Sequence, residues 1–375
     1  MGGKRPSTAP SPLPGILIPP AWATAADNIA YDSNSFPPPI TFICGSGNSG
    51  KCTFSRHLLN TLLKRYRRVA YLDADVAQPE FTASGCLSLH IIDKQIPDLT
   101  IIYLKKPERC VFFGHVSAKQ DSKSYSSCVN FLYDYFCQEF YQTKEIDNPC
   151  KILLPLIIST SMWVKSTSYE ILVAMLRHIS PTHVVKVCFP SETENLPSGL
   201  FWLENPQRKS VNLVQIFAAN ESSIQMENLR KEARMMQDTR IIAYFRQCLP
   251  REMNFSSQKE FAETLASIPS NEIPLSNVEV KRNYHQVLTG SIVGLGVSCS
   301  ALTETSTPWC VGLGIVRAFD YVKGQLFLLT PVPPNALQNV QLIMQSTIEI
   351  PACLQQVSEY RFTEPVKVLK KRPAE

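Results

Sequence analysis

The run FICGSGNSGKCTF, residues 42–54, sets Gly45, Gly50 and Lys51 at the spacing G-x-x-x-x-G-K-[ST]. That spacing lets the amide groups of Gly45, Ser46, Gly47, Asn48, Ser49 and Gly50 surround a phosphate while the lysine neutralises the outer phosphates of a nucleotide. A short apolar strand at 40–44 feeds the loop, and a helix opening near Gly50 turns its positive end towards the same anion. The last position departs from the pattern, because Cys52 stands where a serine or threonine hydroxyl ligates magnesium. Magnesium is a hard ion that prefers oxygen to sulfur, so a direct metal bond from Cys52 is weakened or lost. Thr53 does not replace it, since one step along a helix rotates a side chain by about 100°, and it is expected at a phosphate oxygen instead. A structural turn carrying a surface lysine is the competing reading, and the strand–loop–helix setting weighs against it.

A second reactive pair follows in YLDADVAQPEF, where Asp73 and Asp75 lie at the carboxyl end of the apolar strand RVAYLDADV (68–76). Open α/β sheets place their ligands at such ends. Side chains alternate along a strand, so the two carboxylates share a face while the chain stays extended. One of them can hold magnesium-bound water, and the other can accept a proton from an attacking hydroxyl. Without the phosphate loop, aspartates after a strand would read as turn and cap residues.

These groups need a scaffold that brings two strand ends together. KCTFSRHLLNTLLKRY places Phe54, Leu58, Leu59, Leu62 and Leu63 on one face of a helix. Further strands are predicted at 99–104, 151–159, 183–189 and 212–217, with helices near 124–141 and 167–179. Alternating apolar strands and amphipathic helices predict an α/β fold of P-loop kinase type, a mostly parallel sheet with helices on both faces. Beyond about 270 the texture changes to Gly- and Pro-punctuated β segments, predicting a smaller C-terminal β domain. The expected organisation is a Pro-rich tail or strap over 1–39, with Ile16, Leu17, Ile18 and Trp22 as anchors. A P-loop domain over 40–265 follows, including an arginine-bearing helical stretch at 225–248, then the β domain at 270–355 and a basic tail at 356–375.

A chain of 375 residues, 44% hydrophobic and 18% charged, can bury a substantial core and is expected to form two units. Its net charge of +5 permits a polyanionic partner without requiring one. The twelve cysteines form no C-x-x-C pair and no zinc-spaced Cys/His cluster, and residues 1–14 contain no apolar leader core. Reduced thiols in an intracellular compartment are therefore expected. The run ILLPLIIS is too short to span a bilayer and carries Pro155, so no membrane segment is expected.

Taken in order, the loop, YLDADVAQPEFTASGCLSL, LIISTSMWVKSTSYEIL and RMMQDTRIIAYF resemble the polynucleotide 5′-hydroxyl kinases of RNA processing over roughly 20–351. The nucleolar, ribosomal-RNA-processing branch is the most similar. The resemblance implies transfer of phosphate from ATP, with Mg2+, to the 5′-hydroxyl of RNA in the nucleolus of the nucleus, alongside an rRNA-processing endonuclease. It implies that Lys51 binds phosphates and that Asp75 is the base or metal partner, supported by Asp73 and Gln78. The metal position falls to Asp75 and to Cys52. Trp163 would stack on an RNA base, which any base permits because each has a π face, with Gln78 on the same RNA side. Arg230, Arg234 and Arg240 fall where the family carries a lid, and Arg234 is assigned to the transferring phosphoryl oxygens.

The departures concern the same site. Ala77 stands where the family commonly has glycine, STSMW replaces N-T-x-G-W, and Ser166 replaces a glycine after Val164 and Lys165. Glycine is kept where a backbone needs positive φ or close approach, so these changes imply an altered pocket. Two readings stay open at this stage: a kinase whose metal is held mainly by nucleotide oxygens, water and Asp75, or a weakened relative that binds RNA and partners as a scaffold.

Overall fold

The computed structural model describes residues 17–32, 37–96, 103–141, 153–161, 167–189, 196–203, 211–219, 226–278, 288–298, 307–320 and 322–358. The chain divides into two compact units, 1–240 and 241–375.

The sheet of the first unit comprises β1 (Ile40–Gly45), β2 (Val69–Ala74), β3 (Cys86–Ile92), β4 (Arg109–Phe112), β5 (Leu156–Thr160), β6 (His183–Cys188) and β7 (Asn212–Phe217). Their spatial order is β4-β3-β2-β5-β1-β6-β7. The strands from β2 to β7 in that order run parallel, and β3 and β4 add an antiparallel edge. Every residue of β1, β2 and β6 is buried, which requires cover on both faces. Ile43, Tyr71, Ile157, Val185 and Val187 pack into one apolar cluster with α1 (Pro20–Tyr31) and α2 (Lys51–Arg65). Their strand neighbours Phe42, Cys44 and Leu72 are equally buried outside that cluster. By alternation they point to the opposite face, where the Tyr125 hydroxyl of α3 (Ser122–Phe136) donates to Ala74 O and that of Tyr133 donates to Ile179 O, at the end of α4 (Thr167–Ile179).

The mostly parallel α/β sheet matches the sequence expectation, and three details differ. The Pro-rich strap contains a helix: PAWATAADNIAY starts at Pro20, a position that tolerates proline because its N–H would have no helical partner. Trp22, Ala26, Ile29 and Ala30 form its buried stripe, whereas Leu17, expected as an anchor, is 90% exposed. The anchor Ile16 lies outside the described residues. The antiparallel strands β3 and β4 were not anticipated, because Ser88 and His90 interrupt the apolar run; inside the fold His90 Nε2 and Ser88 Oγ satisfy one another at 2.9 Å. Of the strand expected at 99–104, residues 99–102 lie outside the described residues, and Tyr103 and Leu104 are not in a strand.

The helix α5 (Met226–Arg246) contains the point of division between the units. In the second unit α6 (Gln258–Ser267) precedes an antiparallel sheet of β8 (Asn271–Pro274), β9 (Ile292–Val297), β10 (Trp309–Asp320), β11 (Gln325–Leu329) and β12 (Leu342–Gln345). Its order is β12-β9-β10-β11-β8, and Val293, Leu295, Val316, Leu326 and Leu328 form its core. Arg317 is buried there and donates to the carbonyls of Leu265, Ile268 and Val357, tying the end of α6 to the sheet. Such an arginine supplies planar donors to carbonyls left over at a helix end.

Candidate active site

The loop after β1 is shaped by two close approaches that only glycine permits. At Gly45 a Cβ would collide with Val187 O on β6, and at Gly50 it would strike the outer ring of Trp22. Gly50 also has φ 94°, a left-handed conformation that other residues rarely adopt. Between them Asn48 takes φ 54°, which its short polar side chain tolerates, and Ser49 Oγ donates to Ser46 O at 2.9 Å. Gly50 caps α2 without a side-chain hydrogen bond, so the first amide groups of α2 remain available to an anion.

Lys51 is buried at this helix end and donates from Nζ to Ser46 O at 2.7 Å. Burial pulls its pKa below the ordinary lysine value, with the nearby Asp75 opposing the shift. A buried cation on one loop carbonyl beside uncapped amides fits a phosphate. Burial likewise pushes the Cys52 thiol up to about 12, reinforced by Asp75 and Glu80, although the residue keeps a partly exposed edge. A protonated thiol is a poor magnesium ligand. Thr53 is partly buried on the first turn of α2.

The carboxylates divide their work. β2 ends at Ala74, so Asp75 does not continue the strand: its N–H donates to Asp73 Oδ1 at 3.2 Å and turns the chain. Asp73 is 1% exposed, and its Oδ2 accepts from the Glu80 N–H, so both oxygens hold the loop backbone. Burial raises its pKa well above the carboxylate range against those two donors. Asp75 Oδ1 accepts from the N–H groups of Ala77 and Gln78, each at 3.0 Å, and from Ser161 Oγ at 3.1 Å. Bonds to Asp75 from the described residues all fall on Oδ1, and none of them falls on Oδ2. Among the described residues no group of three or more His, Cys, Asp or Glu could hold a metal ion. A metal here would therefore complete its shell with phosphate oxygens and water, of which it normally keeps several.

Arg56, the strap anchor Trp22 and the lid-region Arg240 brace this pair of loops. Arg56 on α2 forms a buried ion pair with Glu80, linking the phosphate-loop helix to the carboxylate loop. Trp22 supports Gly50 from beneath and donates from Nε1 to Phe217 O at 2.7 Å. Arg240 is buried, with Nε donating to Pro79 O at 2.7 Å. Its burial separates it from Arg234, which is exposed and pairs with Asp238 at 3.2 Å. Trp163, with Met162 and Ser166, lies outside the described residues, as does the side chain of Arg230. The sequence marked the glycines, Trp22 as an anchor and Arg240 as a lid residue, but not the partners they meet, which are distant in the chain.

The fold and loop define a P-loop kinase-like α/β protein. Residues 45–247 match the family model described as mRNA cleavage and polyadenylation factor CLP1 P-loop, and 262–351 match that of the NOL9-like C-terminal domain. The polynucleotide 5′-hydroxyl-kinase NOL9 of Arabidopsis thaliana is 44% identical over 367 residues, covering 95% of this chain and 96% of that protein. The chain belongs to the NOL9/GRC3 family of polynucleotide 5′-hydroxyl kinases. Proteins of the same name from Danio rerio and Homo sapiens are 27% and 25% identical over 84% of this chain, which spans 47% and 50% of their lengths. A solved Clp1p–Pcf11p complex shares the fold at a TM-score of 0.60 and 16% identity, covering 88% of this chain and 78% of that one.

Proposed function

We propose that this protein transfers a phosphoryl group from ATP to the 5′-hydroxyl end of RNA during pre-ribosomal RNA processing, working in the nucleolus beside an rRNA-processing endonuclease. The observation that carries the proposal is buried Lys51 at the uncapped, positive end of α2, within electrostatic reach of Asp75. ATP and magnesium, when bound, supply the phosphoryl group and the charge that neutralises it. Lys51 and the amides of the Gly45–Gly50 loop hold the phosphates. Asp75 accepts through Oδ2 the proton released as the 5′-hydroxyl oxygen bonds to phosphorus and the bond to the bridging oxygen of ADP breaks. With magnesium bound, Asp75 would also be the carboxylate that holds a water of its shell. Asp73 keeps Asp75 in position through the loop backbone. Arg234 on α5 serves the phosphoryl oxygens, and Trp163 and Gln78 serve the RNA. Among the described residues no helix is long and apolar enough to cross a membrane.

The test is transfer of radiolabelled phosphate from ATP to a 5′-hydroxyl RNA. Lys51→Ala is expected to abolish labelling, and Asp75→Asn to cut kcat by at least about 100-fold with ATP affinity little changed. Equal labelling by wild type and Lys51→Ala would discard the enzymatic reading and leave that of an RNA-binding scaffold.

A further inference from the structure

The sheet order places the site's two sides apart. Asp73 near the end of β2 and Asp75 just past it lie two strands from β1 on the β5 side, whereas β6 and β7 lie on the other side of β1. Phosphoryl transfer proceeds with attacking and leaving oxygens roughly in line across phosphorus. If the attacking hydroxyl meets Asp75 on the β2 side, the leaving nucleotide extends towards β6 and β7.

Two aromatic residues stand there: Phe189, partly buried directly after β6, and Phe217, the last residue of β7 and the more exposed of the two. Gly45 pairs with Val187, which pairs with Ile216, so Phe217 lies one residue past the level at which the phosphate loop leaves β1. Two strand spacings put it about 10 Å to the side. A single indole bridges the gap, since Trp22 donates to Phe217 O and lies against Gly50. Ile216 is buried in the core, but the Phe217 side chain is 55% exposed. A solitary exposed phenylalanine needs no explanation by itself; this one stands at the carboxyl end of a parallel sheet, where such sheets bind ligands.

We propose that Phe217 is the platform on which the base of the phosphate-donor nucleotide stacks. This rests on the reading of the Gly45–Lys51 loop as a nucleotide site. The ring offers a π face, fixed at the backbone by the Trp22 bond, and the base supplies the complementary face. Any nucleobase has such a face, and the RNA acceptor carries bases too; the in-line geometry assigns Phe217 to the donor, and the test separates the two.

The full-length chain, as wild type, Phe217→Ala, Phe217→Tyr and Lys51→Ala, is titrated by calorimetry with ATP, with inorganic tripolyphosphate, and with a 5′-hydroxyl RNA oligonucleotide, all with magnesium. Phe217→Ala is expected to weaken ATP binding about ten-fold while leaving tripolyphosphate and RNA affinities at wild-type values, and Phe217→Tyr to bind ATP normally. The proposal fails if Phe217→Ala binds ATP like wild type, if it loses ATP and tripolyphosphate equally, or if RNA binding falls instead. ATP binding weakened by Lys51→Ala but untouched by Phe217→Ala sinks this inference alone. Absence of ATP binding in wild type overturns the nucleotide-site reading with it.

Discussion

Cys52 is the residue at which this chain tests the chemistry of its loop. The partly buried Cys52 thiol, pushed up to about 12, stays protonated across the physiological range, so it offers magnesium neither charge nor hard oxygen. Cys52→Ser restores the hydroxyl without adding bulk. It is expected to lower the magnesium concentration giving half-maximal phosphate transfer several-fold, read from a Mg2+ titration at saturating ATP. An unchanged titration would place Cys52 away from the ion. In the proposed reaction Asp75 takes the complementary role: the backbone bonds on Oδ1 fix the carboxylate, and its second oxygen is the one proposed to act. Asp73 has both oxygens on the loop backbone, which suits it to the orienting part in that proposal.

At the scale of elements, α1 serves the active loop from outside it. Trp22 packs edge-on against Phe54 with ring centroids 5.9 Å apart, fills the space beneath Gly50, and bonds the end of β7. Trp22→Ala is expected to cost about 3–5 kcal/mol of stability, the range for emptying a large aromatic site. Trp22→Phe keeps most of the packing but orphans Phe217 O, costing about 1 kcal/mol. Denaturant unfolding checks both, and equal costs would show that the Nε1 bond, rather than the ring volume, dominates. Arg240 makes a comparable tie from α5 to the carboxylate loop through Pro79 O, which separates its role from that of the exposed Arg234.

Across the whole molecule, the buried histidines His90 and His183 tie part of the stability to pH. Burial lowers the pKa of His90 to about 3, and also lowers that of His183. The unfolded chain protonates these rings near their ordinary value of 6.5, whereas the folded protein keeps them neutral, so between the folded and unfolded pKa the unfolded state binds more protons. Their contribution is complete above pH 6.5 and is lost as pH falls towards 3. For His90 the loss is on the order of a few kcal/mol. His90→Leu is therefore expected to flatten the fall in melting temperature between pH 6.5 and 4, measured by calorimetry; an unchanged slope would mean that His90 is solvated.

Features written in local periodicity were legible in the chain alone. The glycine spacing around Lys51, the 3.6-residue stripe of α2 and the apolar runs of β1, β6 and β7 arise from neighbours in sequence, and they fixed the phosphate loop and the parallel α/β class. The helix within the Pro-rich segment and the strand β3 were not legible, because proline density hid an alanine-rich helix and a Ser–His pair looked too polar for a buried strand. Tertiary structure alone decided which carboxylate oxygen stays available, that Arg240 is held on Pro79, and that Trp22 lies against Gly50 while bonding Phe217, 195 residues away in the chain. Those outcomes depend on which surfaces meet once the sheet is ordered and desolvated, and spacing along the chain carries no record of that meeting.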